Sequence, residues 1–179
     1  MPPSGSAIVV LTGASGSGKT TVCLAVAARA RRQPVEGIVT VPRLENGSPI
    51  GLDVMCLATG VRRPLAELMG ETHGPTVGHW RFHECGLEFG DRCCGAARPD
   101  GLLVVDELGP LELLNHAGWA GAIGLFRDRP GPSLVVVRPS LLDVFSGHVA
   151  GRTIRTVEIT SDLRDDLPAR LIEIVEGLG

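Results

Sequence analysis

Residues Gly13-Ala14-Ser15-Gly16-Ser17-Gly18-Lys19-Thr20 follow the spacing G-x-x-x-x-G-K-[ST], directly after the apolar run Ala7-Ile8-Val9-Val10-Leu11. A loop of this kind works only between a buried strand and a helix whose first turn faces an anion, so it constrains the fold and the chemistry together. Glycines permit backbone angles closed to other residues and let main-chain N–H groups approach phosphate oxygens. Lys19 is placed to reach the β- and γ-phosphates, and the Thr20 hydroxyl suits a Mg2+ ion. The candidate nucleotide-binding set is therefore Gly13, Ala14, Ser15, Gly16, Ser17, Gly18, Lys19, Thr20 and Thr21. The stretch that follows, up to Arg29-Ala30-Arg31-Arg32, is rich in helix formers and ends on basic residues, as a helix C-terminus favours.

Strand-like runs over 7–11, 37–41, 52–57, 79–84, 102–106, 133–138 and 156–160 alternate with helical patterns over 18–32, 86–97, 111–127 and 166–177. That alternation predicts an α/β fold with a parallel sheet. Pro42 and the cluster Glu45-Asn46-Gly47-Ser48-Pro49 predict an antiparallel hairpin over 42–57. Residues 58–78, with Gly60, Pro64, Gly70, Gly74, Pro75 and Gly78, read as a long surface loop of the lid type around a short helical piece. With 179 residues, the chain has room for one such domain, 1–179, and its core, not for a second full domain.

A second chemical signal is Leu102-Leu103-Val104-Val105-Asp106-Glu107. A continuous apolar run suits a central strand buried on both faces, and its end delivers two carboxylates to the sheet edge where the phosphate loop opens. Asp106 is then the candidate Mg2+ partner with Thr20, and Glu107 the candidate base that deprotonates an attacking water. Arg138 ends the run Leu134-Val135-Val136-Val137 at the same edge, and Arg43 follows another strand. Both are candidates to stabilise charge on the γ-phosphate, which a guanidinium does better than an ammonium. Arg62 and Arg63, in the expected lid, are weaker candidates for that role, and Glu112 sits at the start of the helix after Pro110, where an acid favours the dipole.

The segment Asp106-Glu107-Leu108-Gly109-Pro110-Leu111-Glu112-Leu113 resembles the D-E-[IL]-G-x-[ML]-E-L signature of the THEP1-type nucleoside-triphosphatases. Gly37-Ile38-Val39-Thr40-Val41-Pro42-Arg43, leading to Gly51-Leu52-Asp53-Val54, is similar to the family's G-F-x-T-x-E-x-R segment and the strand after it, so the likeness spans about 8–140. The chain departs from the pattern at Pro42, where the family carries an acid, and at His79 in Gly78-His79-Trp80-Arg81-Phe82, where it carries a lysine. The resemblance implies a P-loop NTPase three-layer sandwich with a mostly parallel, RecA-like sheet and a small antiparallel hairpin insertion. It also implies slow, Mg2+-dependent hydrolysis of ATP, GTP and other triphosphates, tolerant of the base.

Other features narrow the reading. No N-K-x-D guanine-reading motif occurs, and with no tyrosine the surfaces available to stack on a base are Trp80, Trp119 and four phenylalanines. Trp119 reads as core or helix surface. A net charge of −3 gives no bias toward nucleic acid. Neither a leader segment nor an eighteen-residue apolar stretch is evident, so no membrane partner is expected and the cytoplasm is the default location. Five cysteines, at 23, 56, 85, 93 and 94, predict reduced thiols, with Cys23 and Cys56 packing as small apolar groups. The cluster His83, Cys85, Cys93 and Cys94 has none of the usual zinc spacings. Two alternatives to hydrolysis stay open at this point. One is a kinase of the same fold for a small molecule or nucleotide; the other is a nucleotide-gated adaptor for metal-cofactor assembly.

Overall fold

A computed structural model describes residues 7–68, 76–77, 80–160 and 165–177. Among these described residues nine strands form one sheet: β1 (Ile8–Thr12), β2 (Val35–Glu45), β3 (Ser48–Cys56), β4 (Arg62–Leu68), β5 (Thr76–Val77), β6 (Trp80–Phe82), β7 (Leu102–Leu108), β8 (Ser133–Val137) and β9 (Ile154–Glu158). The helices are α1 (Lys19–Arg29), α2 (Glu84–Gly95), α3 (Pro110–Leu113), α4 (Gly121–Asp128), α5 (Leu142–His148) and α6 (Leu167–Val175), with a 3-10 turn at Pro139–Leu141. The strand order is β5-β6-β4-β3-β2-β7-β8-β1-β9.

The sheet has two halves. From β2 through β7, β8 and β1 to β9 every pairing is parallel. The strands β1, β7 and β8 in its middle are apolar on both faces and feed two separate cores. Ile8, Val10, Leu103, Val105, Val135 and Val137 pack with α2, α4 and α5. Val9, Leu11, Leu102, Val104, Leu134 and Val136 pack with α1 and α6. Successive strand residues point to opposite faces, so these runs supply both cores at once, and the result is a helix–sheet–helix sandwich. Gly37, in left-handed geometry at φ 101°, shows how closely the central strands approach, since a Cβ there would lie 2.1 Å from the Val104 carbonyl oxygen.

Beyond β2 the sheet turns antiparallel. The expected hairpin forms around Asn46 and Gly47, whose φ values of 50° and 82° suit a two-residue turn of the kind that follows the strand twist. It is longer than expected and is the start of an antiparallel wing, β2-β3-β4-β6-β5. The parallel pairing of β2 ends at Ile38, so Pro42 sits where the strand has β3 alone as a neighbour and a missing N–H is tolerated.

Two expectations need correction. The stretch 58–78 is not one loop: Arg62–Leu68 is a strand paired with β3 on one side and β6 on the other, and Thr76–Val77 pairs with β6. Residues 69–75 and 78–79, and with them His79, lie outside the described residues. The helix expected over 111–127 is two helices, because His116 and Gly118 adopt positive φ (52° and 58°) and break the helical path between α3 and α4. The Glu112 carboxylate bridges that break by accepting the N–H groups of Gly109 (2.9 Å) and Trp119 (3.3 Å).

Candidate active site

The phosphate loop leaves β1 and enters α1 through Gly13, Gly16 and Gly18, all at positive φ (142°, 74° and 96°). Gly13 also has no room for a side chain, since a Cβ would meet the Ile159 side chain at 2.7 Å. Lys19 Nζ folds over the loop and donates to the carbonyls of Gly13 (3.0 Å) and Ala14 (2.6 Å), with Ser17 Oγ at 3.5 Å. The ammonium is thus held at the mouth of the loop.

Asp106 stands at the C-terminal end of β7 and is 3% exposed. It accepts a hydrogen bond from the Thr20 hydroxyl (2.7 Å) and a longer one from the Thr40 N–H (3.3 Å). Burial pushes its carboxyl up to about 6; the bonds from Thr20 and Thr40 oppose that rise, and the neighbouring Glu107 charge adds to it.

The next residue carries the least expected feature. Glu107 has φ +72°, left-handed geometry that a non-glycine residue adopts only when its surroundings impose it. The register explains it. Val105 pairs with Val135 and Leu108 with Val137, so Asp106 and Glu107 together oppose the single residue Val136. This is a β-bulge. In a regular strand consecutive side chains diverge to opposite faces, whereas here Asp106 and Glu107 line the same two cavities.

The first cavity, about 510 Å³, is lined by Gly13, Ala14, Ser15, Gly16, Gly18, Lys19 and Thr20 of the loop, by Asp106, Glu107 and Arg138, and by Pro139 and Ser140. Arg138 Nε donates to Glu107 Oε1 at 2.5 Å, and both side chains are partly open to solvent. The second cavity, about 380 Å³, shares Asp106, Glu107 and Arg138 and runs under the wing between Thr40, Leu52, Leu65, Trp80, Phe82, Leu111 and Trp119.

The structure thus brings together most of the residues expected from sequence. Ser17 and Thr21 belong to the loop and to α1 without lining the cavity. Arg43 is not brought there. Its guanidinium lies within the wing, 3.1 Å from Glu67 Oε1 and 3.5 Å from Asp53 Oδ1, and it lines neither cavity. The strand carrying it continues past the parallel pairing, so its end belongs to the hairpin and not to the sheet edge. Arg62 and Arg63 are on β4, and Arg63 sits over the Phe89 ring at 5.6 Å. Trp80 lines the second cavity, not the loop cavity. Trp119 is core, with its Nε1 donating to the Leu87 carbonyl at 3.0 Å. Among the described residues no group of three or more His, Cys, Asp or Glu gathers as a metal centre. Sequence reading passes over Thr40, Pro139 and Ser140. Thr40 acts through its backbone N–H, which leaves no trace in residue type; Pro139 does carry a signal, as a strand breaker directly after Arg138.

Comparison with known proteins decides the family. The family model described as NTPase matches residues 8–172. The chain belongs to the THEP1-type nucleoside-triphosphatases. It is 31% identical over 175 residues to the nucleoside-triphosphatase THEP1 of Methanopyrus kandleri, covering 93% of this chain and 94% of that protein. It is 31% identical over 176 residues to the THEP1 of Hyperthermus butylicus, covering 94% and 90%. The solution structure of a human cancer-related nucleoside triphosphatase superposes with a TM-score of 0.78 at 22% identity, over 96% of this chain and 98% of that one. The crystal structure of THEP1 from Aquifex aeolicus gives a TM-score of 0.69 at 17% identity, over 94% and 99%. At those identities the two structures speak for the fold, and both agree that this THEP1-type chain has the P-loop α/β sandwich. No helix among its described residues is long and apolar enough to cross a membrane.

Proposed function

We propose that this chain hydrolyses nucleoside triphosphates, ATP and GTP among them, to the diphosphate and phosphate, slowly and with broad tolerance of the base. The observation that carries this reading is the bulge at Asp106 and Glu107, which turns two consecutive carboxylates toward the phosphate-loop cavity that Arg138 also lines.

The donor set at the loop fits Mg2+. The Thr20 hydroxyl and the buried Asp106 carboxylate are hard oxygen ligands 2.7 Å apart, the type a small divalent cation selects together with phosphate oxygens and water. When bound, such an ion offsets charge on the phosphates. The rest is work for the chain's own side chains. Lys19 exchanges the carbonyls of Gly13 and Ala14 for phosphate oxygens, and the loop N–H groups hold the chain of phosphates in line. Glu107 accepts the proton of the attacking water, and Arg138, beside it, carries the charge that develops on the transferred group. The present Glu107–Arg138 pair holds both side chains at the cavity until the phosphate competes for the guanidinium.

Base tolerance is in keeping with the lining. Pro139 and Ser140 border the loop cavity beyond Arg138, and no N-K-x-D motif for guanine reading occurs in the sequence. The second cavity speaks against an anionic acceptor, because among its described lining residues Asp106, Glu107 and Glu112 stand against the one guanidinium of Arg138. Release of free phosphate and binding of nucleotide test the reading. Lys19→Ala is expected to abolish turnover by weakening the grip on the phosphates, whereas Glu107→Gln is expected to keep nucleotide affinity and lose about 100-fold in turnover. Unchanged phosphate release in Glu107→Gln removes the water-activation role.

A further inference from the structure

The five cysteines, without regular spacing in the sequence, sort clearly by their place in the fold. Cys56 ends β3, and the turn after it folds back on itself: the Cys56 N–H donates to the Val61 carbonyl at 2.9 Å, and the Gly60 N–H donates to the Cys56 carbonyl at 2.8 Å. This turn wraps the sulfur. The Thr59 hydroxyl and the backbone of Ala58 and Thr59 neighbour it, as does the thiol of Cys93, on α2. Cys56 and Cys93 line one solvent-accessible cavity of about 360 Å³ with Thr59, Val61, Phe89 and Arg92. The remaining cysteines are placed otherwise, with Cys23 and Cys94 buried and Cys85 exposed on the first turn of α2.

The same contacts divide the acidity of the pair. Burial works against the Cys56 thiolate, but the Thr59 hydroxyl, the Cys93 thiol and the backbone of Ala58 and Thr59 outweigh it and hold the thiol below its ordinary value. Burial, and after it the Cys56 neighbour, push Cys93 up to about 12. Of the two thiols, Cys56 is therefore the more acidic and Cys93 the one that keeps its proton longer, the order expected of an attacking and a resolving thiol.

We propose that Cys56 and Cys93 are an oxidisable dithiol site, in which a peroxide oxidises Cys56 and Cys93 then closes a reversible disulfide between β3 and α2. In the first step the Cys56 sulfur attacks one peroxide oxygen. An S–O bond forms, the O–O bond breaks, and the leaving hydroxide takes up a proton as water. In the second step the Cys93 sulfur attacks Cys56, the S–S bond forms, the S–O bond breaks, and hydroxide leaves with the Cys93 proton as a second water. The two thiols lose two electrons in all and one hydrogen peroxide gains them. A thiol reductant reverses the reaction by exchange. The product joins the antiparallel wing to the helix layer by a covalent bond.

The experiment treats the reduced full-length protein with one equivalent of hydrogen peroxide, alkylates the remaining thiols, and maps the digest by mass spectrometry without reduction. The expected product is a Cys56–Cys93 linked peptide, two hydrogens lighter than its parts, lost on treatment with dithiothreitol. Cys93→Ser is expected to stop at a Cys56 sulfenic acid that dimedone traps, and Cys56→Ser to leave Cys93 fully alkylated. Oxidation that falls first on exposed Cys85, a linkage to any other cysteine, or Cys93 oxidised as readily in Cys56→Ser as in the parent overturns the proposal.

Discussion

The two halves of the sheet are built from the same alternation of side chains and do different work. In the parallel half β1, β7 and β8 are walled in by helices on both faces, and their carboxyl ends deliver the phosphate loop, Asp106, Glu107 and Arg138 to one edge. In the antiparallel wing the strands carry charge between one another, as in the cluster of Arg43, Asp53, Glu67 and His83, and expose large residues such as Leu44 and Leu68. The difference separates rigidity from access. The proposed phosphate site rests on strands packed on both faces, while the wing contributes Leu52, Leu65, Trp80 and Phe82 as a wall beside it.

The largest expected effect is on turnover. Arg138→Ala removes a guanidinium from the parallel-half edge, and phosphate release is expected to fall by about 100- to 1000-fold, on the order of 3–4 kcal/mol of transition-state stabilisation. Nucleotide affinity, measured by calorimetry, is expected to change far less. Equal losses in both would mean that Arg138 grips the ground state and not the transition state.

The second contrast is in stability. Leu103 is fully buried between β2, β8 and the helices, and Leu103→Ala is expected to cost about 2–5 kcal/mol in chemical denaturation through lost burial and the cavity left behind. Leu44, at the far end of β2, is 58% exposed, and Leu44→Ala is expected to stay within about 0.5 kcal/mol. If the two substitutions cost the same, the wing is as tightly built as the parallel half and the comparison fails.

That contrast also governs what can be read from sequence. The strands of the parallel half are unbroken apolar runs next to a loop of fixed spacing, so each of β1, β7 and β8 is legible to within a residue or two. The wing is not. In β4, Arg62-Arg63-Pro64-Leu65-Ala66-Glu67-Leu68 has a proline and three charges, and it holds as a strand because β3 and β6 flank it, a tertiary cause that local pattern does not carry. At the site, the identities of Lys19, Thr20, Asp106, Glu107 and Arg138 are legible from residue type and position at a strand end. The bulge that aims Glu107 is not, since nothing in Val-Asp-Glu-Leu announces a left-handed backbone. Arg43 shows the converse: a motif match places it at the site, and the length of β2 carries it away.

A third effect follows from burial of Asp106. Its carboxyl ionises near 3.8 in the unfolded chain and at about 6 in the folded protein, so the folded state holds the proton more tightly. The sign is then fixed: this group's contribution to stability is complete below about pH 4 and is lost as pH rises through about 6. At about 1.4 kcal/mol for each tenfold gain in proton affinity, the contribution is on the order of 3 kcal/mol. Other carboxylates titrate over the same range, so the measurement is a difference. Stability of the metal-free protein minus that of Asp106→Asn, followed by denaturation in the presence of a chelator, is expected to decline between about pH 4 and 6 and then level off. A flat difference would place Asp106 in better contact with solvent than its 3% exposure indicates.

The smallest effect on turnover is expected from the residue whose position separates the two halves most directly. Arg43 bridges β2 to Asp53 on β3 and Glu67 on β4, and His83 Nε2 approaches the same Glu67 oxygen at 3.4 Å. These side chains are between 20% and 37% exposed, so their attractions are partly screened, and truncation leaves two carboxylates that water reaches in part. Arg43→Ala is therefore expected to cost about 1 kcal/mol in denaturation and to change phosphate release by no more than about threefold. Arg43→Lys keeps the charge but not the fork that reaches both acids, and is expected to recover part of the stability and none of an activity that was never lost. A hundredfold fall in turnover with unchanged stability would reverse the assignment. The wing would then close over the nucleotide and bring its arginine to the γ-phosphate, and the division between a scaffold that does chemistry and a wall that shapes access would have to be abandoned.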